Sequence, residues 1–175
     1  VGNILISLEP LLKKIDPDSF LVLGDTNSCL SSIVAKKMKI PVFHYEAGNR
    51  CFDQRVPEEI NRKIVDVVSD INLTYSKISR DYLIAEGFPK DQVIKIGSPM
   101  REVIIQNQKK IDSSNILNKL NLKKDKYFIV SFHREENIES KNFKDFLETL
   151  DRIADIYKLP IIFSTHPRTQ KKLKD

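Results

Sequence analysis

The sequence predicts an α/β fold built on parallel β-strands. Short runs rich in β-branched and aromatic residues alternate with longer amphipathic segments along the chain, an order typical of parallel sheets flanked by helices. Six runs have the length and composition of strands: Phe20–Leu23, Val42–Tyr45, Ile71–Thr74, Val93–Ile96, Tyr127–Phe132 and Ile161–Thr165. Glycine or polar residues follow each run, as expected where a strand ends.

Helices are predicted between these strands from apolar residues at helical spacing. In the first helix, Ile4–Lys14, apolar side chains recur three and four positions apart, so one face would cover the sheet. Further helices are predicted at Leu30–Met38, Glu58–Val68, Lys77–Glu86 and Asn142–Tyr157, with a short one around Ser114–Leu120. Gly87 is expected at the C′ position after the helix that ends at Glu86.

A polar stretch rich in Lys, Asn, Asp and Ser divides the chain. We interpret residues 108–126 as a connection between two domains, with residues 1–107 in the first domain and 127–175 opening the second. The chain begins directly in a helix without Met, and about 50 residues after the connection are too few for a complete doubly wound sheet. We therefore expect an internal segment of a longer protein.

Composition limits the classes of partner. The net charge of +5 comes from scattered lysines, which favours a solvated basic surface over a nucleic-acid-binding face. Nucleic acid is therefore not expected as a partner. No apolar run approaches the roughly 18 residues needed to span a bilayer, so no membrane partner is expected either, and a cytoplasmic location is expected. Cys29 and Cys51 lack metal-ligand spacing, so no metal is predicted.

Polar groups collect where the predicted strands end, which is where open parallel sheets bind ligands. The candidates for acid and base chemistry are Asp25, Glu46, Glu58, Glu59 and His133. An enzyme that moves a proton on and off carbon needs such groups, one as base and another as acid.

Each candidate also has a structural interpretation. Asp25 lies between a strand and a helix and could cap that helix. Glu46 directly follows a strand, where an ordinary surface role explains it less well. Glu58 and Glu59 follow Pro57 and suit the positive end of a helix dipole.

The three histidines differ in context. His133 is followed by Arg134, a pair suited to a phosphate or diphosphate. His44 lies within a strand and is interpreted as a hydrogen-bonded core residue, while His166 at the last strand end is a weaker site candidate. The sequence has no dinucleotide glycine fingerprint, nucleophile elbow, zinc-protease helix or Walker lysine.

Five strings occur together at these strand ends and helix starts. They are Leu23-Gly24-Asp25-Thr26, His44-Tyr45-Glu46-Ala47-Gly48-Asn49-Arg50, Pro57-Glu58-Glu59-Ile60-Asn61-Arg62, Gly97-Ser98-Pro99 and His133-Arg134-Glu135-Glu136-Asn137. In this order and at these separations, the chain resembles the non-hydrolysing UDP-N-acetylglucosamine 2-epimerases over nearly its whole length.

The resemblance implies two Rossmann-like domains of the glycosyltransferase B type, only partly covered by this chain. The implied isomerase reaction converts UDP-N-acetylglucosamine into UDP-N-acetylmannosamine without a cofactor. UDP leaves together with the carbon 2 proton, and it then adds back to the glycal-like intermediate as a proton returns on the opposite face. The resemblance also implies a homodimer of the full-length protein.

The resemblance further assigns residues. Asp25, Glu46 and Glu58 match the family's acidic catalytic trio and His133 its histidine near the diphosphate, so these four are predicted to be catalytic. Asp25, Glu46, His133 and Arg134 are predicted to contact the UDP-sugar. Which carboxylate is the base and which the acid stays open.

Some positions depart from the family's common pattern. Asn49 replaces a frequent leucine, Glu135 replaces a second arginine, and the stretch Cys51–Val56 is short. This form is similar to relatives that epimerise a 6-deoxy UDP-acetamido sugar toward UDP-N-acetylfucosamine, which is one alternative substrate. A glycosyltransferase of the same fold and a non-catalytic nucleotide-sugar sensor are alternatives of other classes.

Overall fold

A computed structural model describes residues 1–131 and 143–164. The chain divides into two compact units, Val1–Gln106 and Asn107–Asp175. The assignment of residues 108–126 to an interdomain connection stays a prediction.

The first unit alternates helices and strands as predicted. Its elements are α1 (Gly2–Ile15), β1 (Phe20–Leu23), α2 (Ser32–Lys37), β2 (Val42–Tyr45), α3 (Pro57–Val68), β3 (Ile71–Thr74), α4 (Lys77–Ala85) and β4 (Val93–Lys95). The four strands are all parallel and lie in the order β1-β2-β3-β4. The carboxyl ends of the strands, with their polar residues, therefore share one edge of the sheet.

One face of this sheet carries the buried core. The register places Val22 beside His44, His44 beside Asn72 and Asn72 beside Val93, and all four side chains are buried. Side chains from α1, α2 and α3 pack with the β1 and β2 residues of this face, while Leu83 of α4 packs with Val93. On the opposite face Leu21 and Leu23 are more than 60% exposed, at 65% and 62%.

Local backbone chemistry sets where the helices end. After α4, Gly87 has a left-handed φ of 98° and its N–H donates to Ile84, while Phe88 N–H donates to Leu83. Glycine takes this conformation without steric cost, so the predicted C′ position is confirmed. The helix predicted at Leu30–Met38 differs in form, because a 3₁₀ turn at Asn27–Ser31 precedes the shorter α2.

The sequence analysis missed one long helix. Helix α5 spans Met100–Asp112, in a region read mainly as polar, and the division between the two units falls inside it. Met100, Val103 and Ile104 have helical spacing, but they are exposed and the surrounding Lys, Gln and Asn residues mask the pattern. The short helix α6 follows at Ile116–Lys119, inside the predicted range.

The second unit contains a parallel β-α-β arrangement. Strand β5 (Phe128–Ser131) pairs with β6 (Ile161–Ser164), and helix α7 (Phe143–Tyr157) lies between them in sequence. The Phe128 and Tyr157 rings meet edge to face at 5.4 Å between centroids, which ties the strand to the end of α7. Within the described parts of the chain, no helix is both long and apolar enough to cross a membrane.

Candidate active site

Asp25 lies in the turn that follows β1. Gly24 has a φ of 72° and its N–H donates to the Tyr45 carbonyl, 2.9 Å away, so the turn is fixed against the end of β2. The Asp25 carboxylate forms an ion pair with Arg62 of α3 and is only partly exposed. The residue at the N-cap of the 3₁₀ turn is Thr26, so the capping interpretation of Asp25 is wrong.

Helix α3 also holds the backbone of this turn. The Asn61 side-chain amide donates to the Asp25 carbonyl at 2.9 Å and to Asn27 Oδ1 at 3.2 Å. Asn61 and Arg62 are adjacent in the sequence, and together they fix both the main chain and the carboxylate of Asp25. Sequence reasoning quoted both residues within a family string but gave neither a role.

Glu46 occupies a strained position after β2. Its φ of 76° is rare for a residue with a side chain, and such conformations persist only where the surroundings enforce them. The Glu46 and Ala47 N–H groups both donate to Leu73 of β3, each at 3.1 Å. A methyl group added at Gly24 would lie 3.5 Å from Glu46 Oε2, which shows that the Glu46 carboxylate borders the Asp25 turn.

Gly48 completes this turn. Its φ is 75°, and a Cβ there would overlap the Ser79 carbonyl oxygen and lie 2.9 Å from Leu83 Cγ. The next residue, Asn49, accepts a bond from the Ser79 hydroxyl at 2.7 Å and donates a long one to Glu46 Oε1 at 3.4 Å. The departure from leucine at Asn49 thus places an amide beside the candidate catalytic carboxylate.

The two acids that open α3 have different environments. Glu58 is exposed, whereas Glu59 is buried and accepts from Cys51 N–H at 2.9 Å while Lys63 Nζ lies 3.3 Å away. Burial alone raises the pKa of Glu59, but these two donors outweigh it and hold that pKa below its usual value. Glu59 therefore anchors the loop before α3, and Glu58 is the acid left accessible to a ligand.

A buried polar network lies beneath Asp25 and Glu46. His44, fully buried as predicted for a core histidine, bonds Asp66 Oδ1 at 2.7 Å and the Gly24 carbonyl at 3.1 Å. Arg50 forms an ion pair with Asp66 at 2.7 Å and a two-point contact with Glu86. Burial lowers the pKa of Arg50, but both carboxylates raise it more strongly, so its pKa lies above the ordinary value.

Tyr75, at the end of β3, also borders the site. Its ring meets Tyr45 edge to face, with 5.3 Å between centroids. Burial, followed by the negative charge of Glu46, raises the pKa of Tyr75, so its hydroxyl keeps its proton beside that carboxylate. Sequence reasoning did not select Tyr75 as a candidate.

The structure brings together Asp25 and Glu46 and places Glu58 at the start of the helix that carries Arg62. His133, Arg134 and His166 lie outside the described residues. Among residues 1–131 and 143–164, no group of three or more His, Cys, Asp or Glu side chains is arranged to hold a metal ion.

Comparison with known proteins identifies the family. The sequence model described as UDP-N-acetylglucosamine 2-epimerase matches residues 1–175. A UDP-N-acetylglucosamine 2-epimerase of Methanocaldococcus jannaschii is 38% identical over 99% of this chain and 49% of its own length. A UDP-2,3-diacetamido-2,3-dideoxy-D-glucuronate 2-epimerase of Pseudomonas aeruginosa is 33% identical over 97% of this chain and 48% of its own length.

Solved structures of UDP-N-acetylglucosamine 2-epimerases also resemble this chain. The UDP-N-acetylglucosamine 2-epimerase of Rickettsia bellii has a TM-score of 0.92 at 52% identity, covering 99% of this chain and 46% of that protein. The Methanocaldococcus jannaschii enzyme in complex with UDP-GlcNAc and UDP has a TM-score of 0.88 at 39% identity, covering 99% and 49%.

The chain spans about half the length of the curated relatives it matches. The predicted α/β fold of the glycosyltransferase B type, partly covered by this chain, is confirmed by these structures. On sequence and structure together, the chain belongs to the UDP-N-acetylglucosamine 2-epimerase family.

Proposed function

We propose that the protein containing this chain interconverts UDP-N-acetylglucosamine and UDP-N-acetylmannosamine by inversion at carbon 2, without hydrolysis. The observation that carries the proposal is the pair of carboxylates, Asp25 and Glu46, on adjoining turns at the ends of neighbouring strands. The strained backbone of Glu46 supports a functional role for this position, since such strain concentrates at active sites.

The reaction has two balanced steps. A base removes the carbon 2 proton as the bond between carbon 1 and the UDP oxygen breaks, which gives free UDP and a glycal-like intermediate. UDP then adds back to carbon 1 while an acid delivers a proton to the opposite face of carbon 2. One carboxylate on each face of the sugar would serve both directions.

The two carboxylates differ in environment. Asp25 forms an ion pair with the Arg62 guanidinium, whereas the Asn49 side-chain amide, which is neutral, lies 3.4 Å from Glu46 Oε1. Glu58, exposed at the start of α3, is proposed as the third catalytic acid. His133 is proposed as catalytic near the diphosphate, with Arg134 as a substrate contact.

The wider assignments are proposals of the same kind. The substrate is a UDP-sugar, the reaction needs neither metal nor cofactor, and the protein works as a cytoplasmic homodimer. Residues 1–107 form the later part of the first domain, 108–126 the connection, and 127–175 the start of the second domain.

A second candidate substrate is another UDP-acetamido sugar, including a 6-deoxy one. The short loop from Cys51 to Val56 favours this alternative, and the Pseudomonas aeruginosa relative is named for a different acetamido sugar. An acceptor-dependent glycosyltransferase would not need the carboxylate pair.

The test uses the protein expressed from its complete reading frame in deuterated water. With no cofactor added, we expect deuterium to replace the proton at carbon 2 of UDP-N-acetylglucosamine. Proton NMR measures this exchange as loss of the carbon 2 proton signal. Asp25→Asn and Glu46→Gln should each lower kcat by about 10²-fold or more while UDP binding persists. Asp81→Asn, which alters an exposed acid of α4 paired with Lys77, is the matched control and should keep full activity.

The outcomes separate the alternatives. Exchange with the 6-deoxy UDP-acetamido sugar alone would shift the substrate and keep the reaction. Sugar transfer to an acceptor without exchange at carbon 2 would favour the glycosyltransferase. UDP binding with neither exchange nor transfer would favour a sensor.

A further inference from the structure

Asp66 of α3 is a fully buried carboxylate that the proposed chemistry does not use. Its Oδ1 lies 2.7 Å from His44 Nδ1 and accepts the Gly48 N–H at 3.3 Å. Its Oδ2 lies 2.7 Å from a terminal nitrogen of Arg50. One carboxylate thus meets an imidazole, a backbone amide and a guanidinium.

The second nitrogen of His44 extends the network to the other turn. Nε2 lies 3.1 Å from the Gly24 carbonyl oxygen, which can only accept. Asp66 Oδ1 lies at the other ring nitrogen, Nδ1. His44 therefore links Asp66 to the backbone of the turn that carries Asp25 through its two ring nitrogens.

Arg50 extends this cluster to Glu86. Arg50 donates through Nε to Glu86 Oε1 at 2.8 Å and through its other terminal nitrogen to Glu86 Oε2 at 2.6 Å. Arg50 thus pairs with the buried Asp66 and with the exposed Glu86. Buried charges such as Asp66 and Arg50 are tolerated when they are paired, and loss of one partner is costly.

We propose that Asp66 is a positioning residue that sets the placement of Asp25 relative to Glu46, an inference that rests on the proposed function. Through His44 it holds the carbonyl directly before Asp25, and through the Gly48 amide it holds the turn that contains Glu46. Asp66 is the point where supports from both turns meet. Because Glu46 has an unfavourable backbone conformation, its turn relaxes when such a support is lost.

The expected effect falls on the chemical step. A displacement of about 1 Å at a reacting group can cost about 10²-fold in rate. Since Asp66 is fully buried, a ligand cannot reach its side chain, and UDP affinity should not depend on it. Asp66→Asn keeps the shape but removes the charge, so kcat should fall by roughly 10- to 100-fold with KM little changed.

Asp70→Asn is the matched control. Asp70 Oδ2 accepts the Val42 N–H at 2.8 Å, and its other oxygen pairs with Lys36, so it too is a carboxylate that supports β2. It lies at the amino end of that strand, away from Asp25 and Glu46. Asp70→Asn should lower stability while leaving kcat unchanged.

The experiment measures kcat, KM, UDP affinity and unfolding in urea for the wild type and both variants, each expressed from the complete reading frame. Nitrogen-15 NMR of His44, assigned with His44→Gln, adds a readout that needs no turnover. We expect the Nδ1 signal of His44 to shift in Asp66→Asn, because the variant replaces the carboxylate that this nitrogen contacts.

Full kcat in Asp66→Asn, an equal kcat loss in Asp70→Asn, or an unchanged His44 Nδ1 signal in Asp66→Asn would overturn the positioning role. A wild type that exchanges no deuterium at carbon 2 of any UDP-acetamido sugar would refute the proposed function and this role with it. Activity in the wild type with an unaffected Asp66→Asn would refute the positioning role alone.

Discussion

Replacement of Gly48 by alanine tests how tightly the Glu46 turn is packed against α4. The new methyl group meets two separate obstacles. The φ of 75° is unfavourable for a residue with a Cβ, and this term costs about 1–2 kcal/mol. The methyl group would also overlap the Ser79 carbonyl and crowd Leu83, and overpacking of this kind costs about 1–3 kcal/mol.

Gly87→Ala separates the two terms. Gly87 has a comparable left-handed φ of 98°, but a Cβ there meets nothing within 4 Å, so only the backbone term applies. Urea unfolding should give a loss of about 1–2 kcal/mol for Gly87→Ala and about 2–5 kcal/mol for Gly48→Ala. Against a typical stability of about 5–15 kcal/mol, the larger loss is readily measured.

The two variants should also differ in activity. Gly48→Ala displaces the turn that holds Glu46, so kcat should fall with it, whereas Gly87→Ala should leave kcat unchanged. If Gly48→Ala proves no more destabilising than Gly87→Ala, the close approach of the turn to α4 is refuted. Packing against α4 would then not be what holds the Glu46 turn in place.

Three further predictions concern pH, thiol reactivity and folding. Because the folded-state pKa of Glu59 is lowered, its contribution to stability is present above the ordinary value of 4.5 and is lost as pH falls through the folded-state pKa. Urea unfolding should therefore show Glu59→Gln less stable than wild type at pH 7, with the gap closing in acid; a constant gap would contradict this. Burial raises the pKa of Cys29 to about 11, while Cys51 is exposed, so a thiol reagent at pH 8 should label Cys51 quickly and Cys29 only on unfolding; equal rates would contradict the burial of Cys29. Residues 1–175 expressed alone should aggregate, since Leu21 and Leu23 are exposed on one sheet face, and a cooperative melt of a monomer would be evidence against it.

Much of the fold follows from the sequence because it depends on local patterns. The bounds of β1, β2 and β3 match the predicted runs, since each run is short, rich in β-branched, aromatic or leucine residues, and closed by glycine or polar residues. Gly87 ends α4 as expected because glycine takes a left-handed φ without cost. Helix α5 was not predicted because its apolar residues are few and the neighbouring residues in the sequence are polar.

In the candidate site, too, local sequence patterns predict some features and miss others. Asp25 and Glu46 stand out in the sequence because each directly follows a strand run, and parallel strands place their carboxyl ends at one edge. Two side chains that support these acids, Arg62 and Asp66, lie in α3, more than ten residues further along the chain. No local pattern reveals that Arg62 pairs with Asp25 or that Asp66 supports both turns.

Helix α3 shows why the buried polar side chains could not be predicted from the sequence. A reading by hydrophobicity would bury Ile60 and Val67, yet these are 47% and 71% exposed. Glu59 and Asp66 are instead buried, because each meets donors from the 46–51 segment that offset the cost of desolvation. The sequence alone determined the strands, their order along the chain and two acids at the sheet edge. The tertiary structure decided which polar side chains are buried, since only it brings their partners within hydrogen-bonding distance.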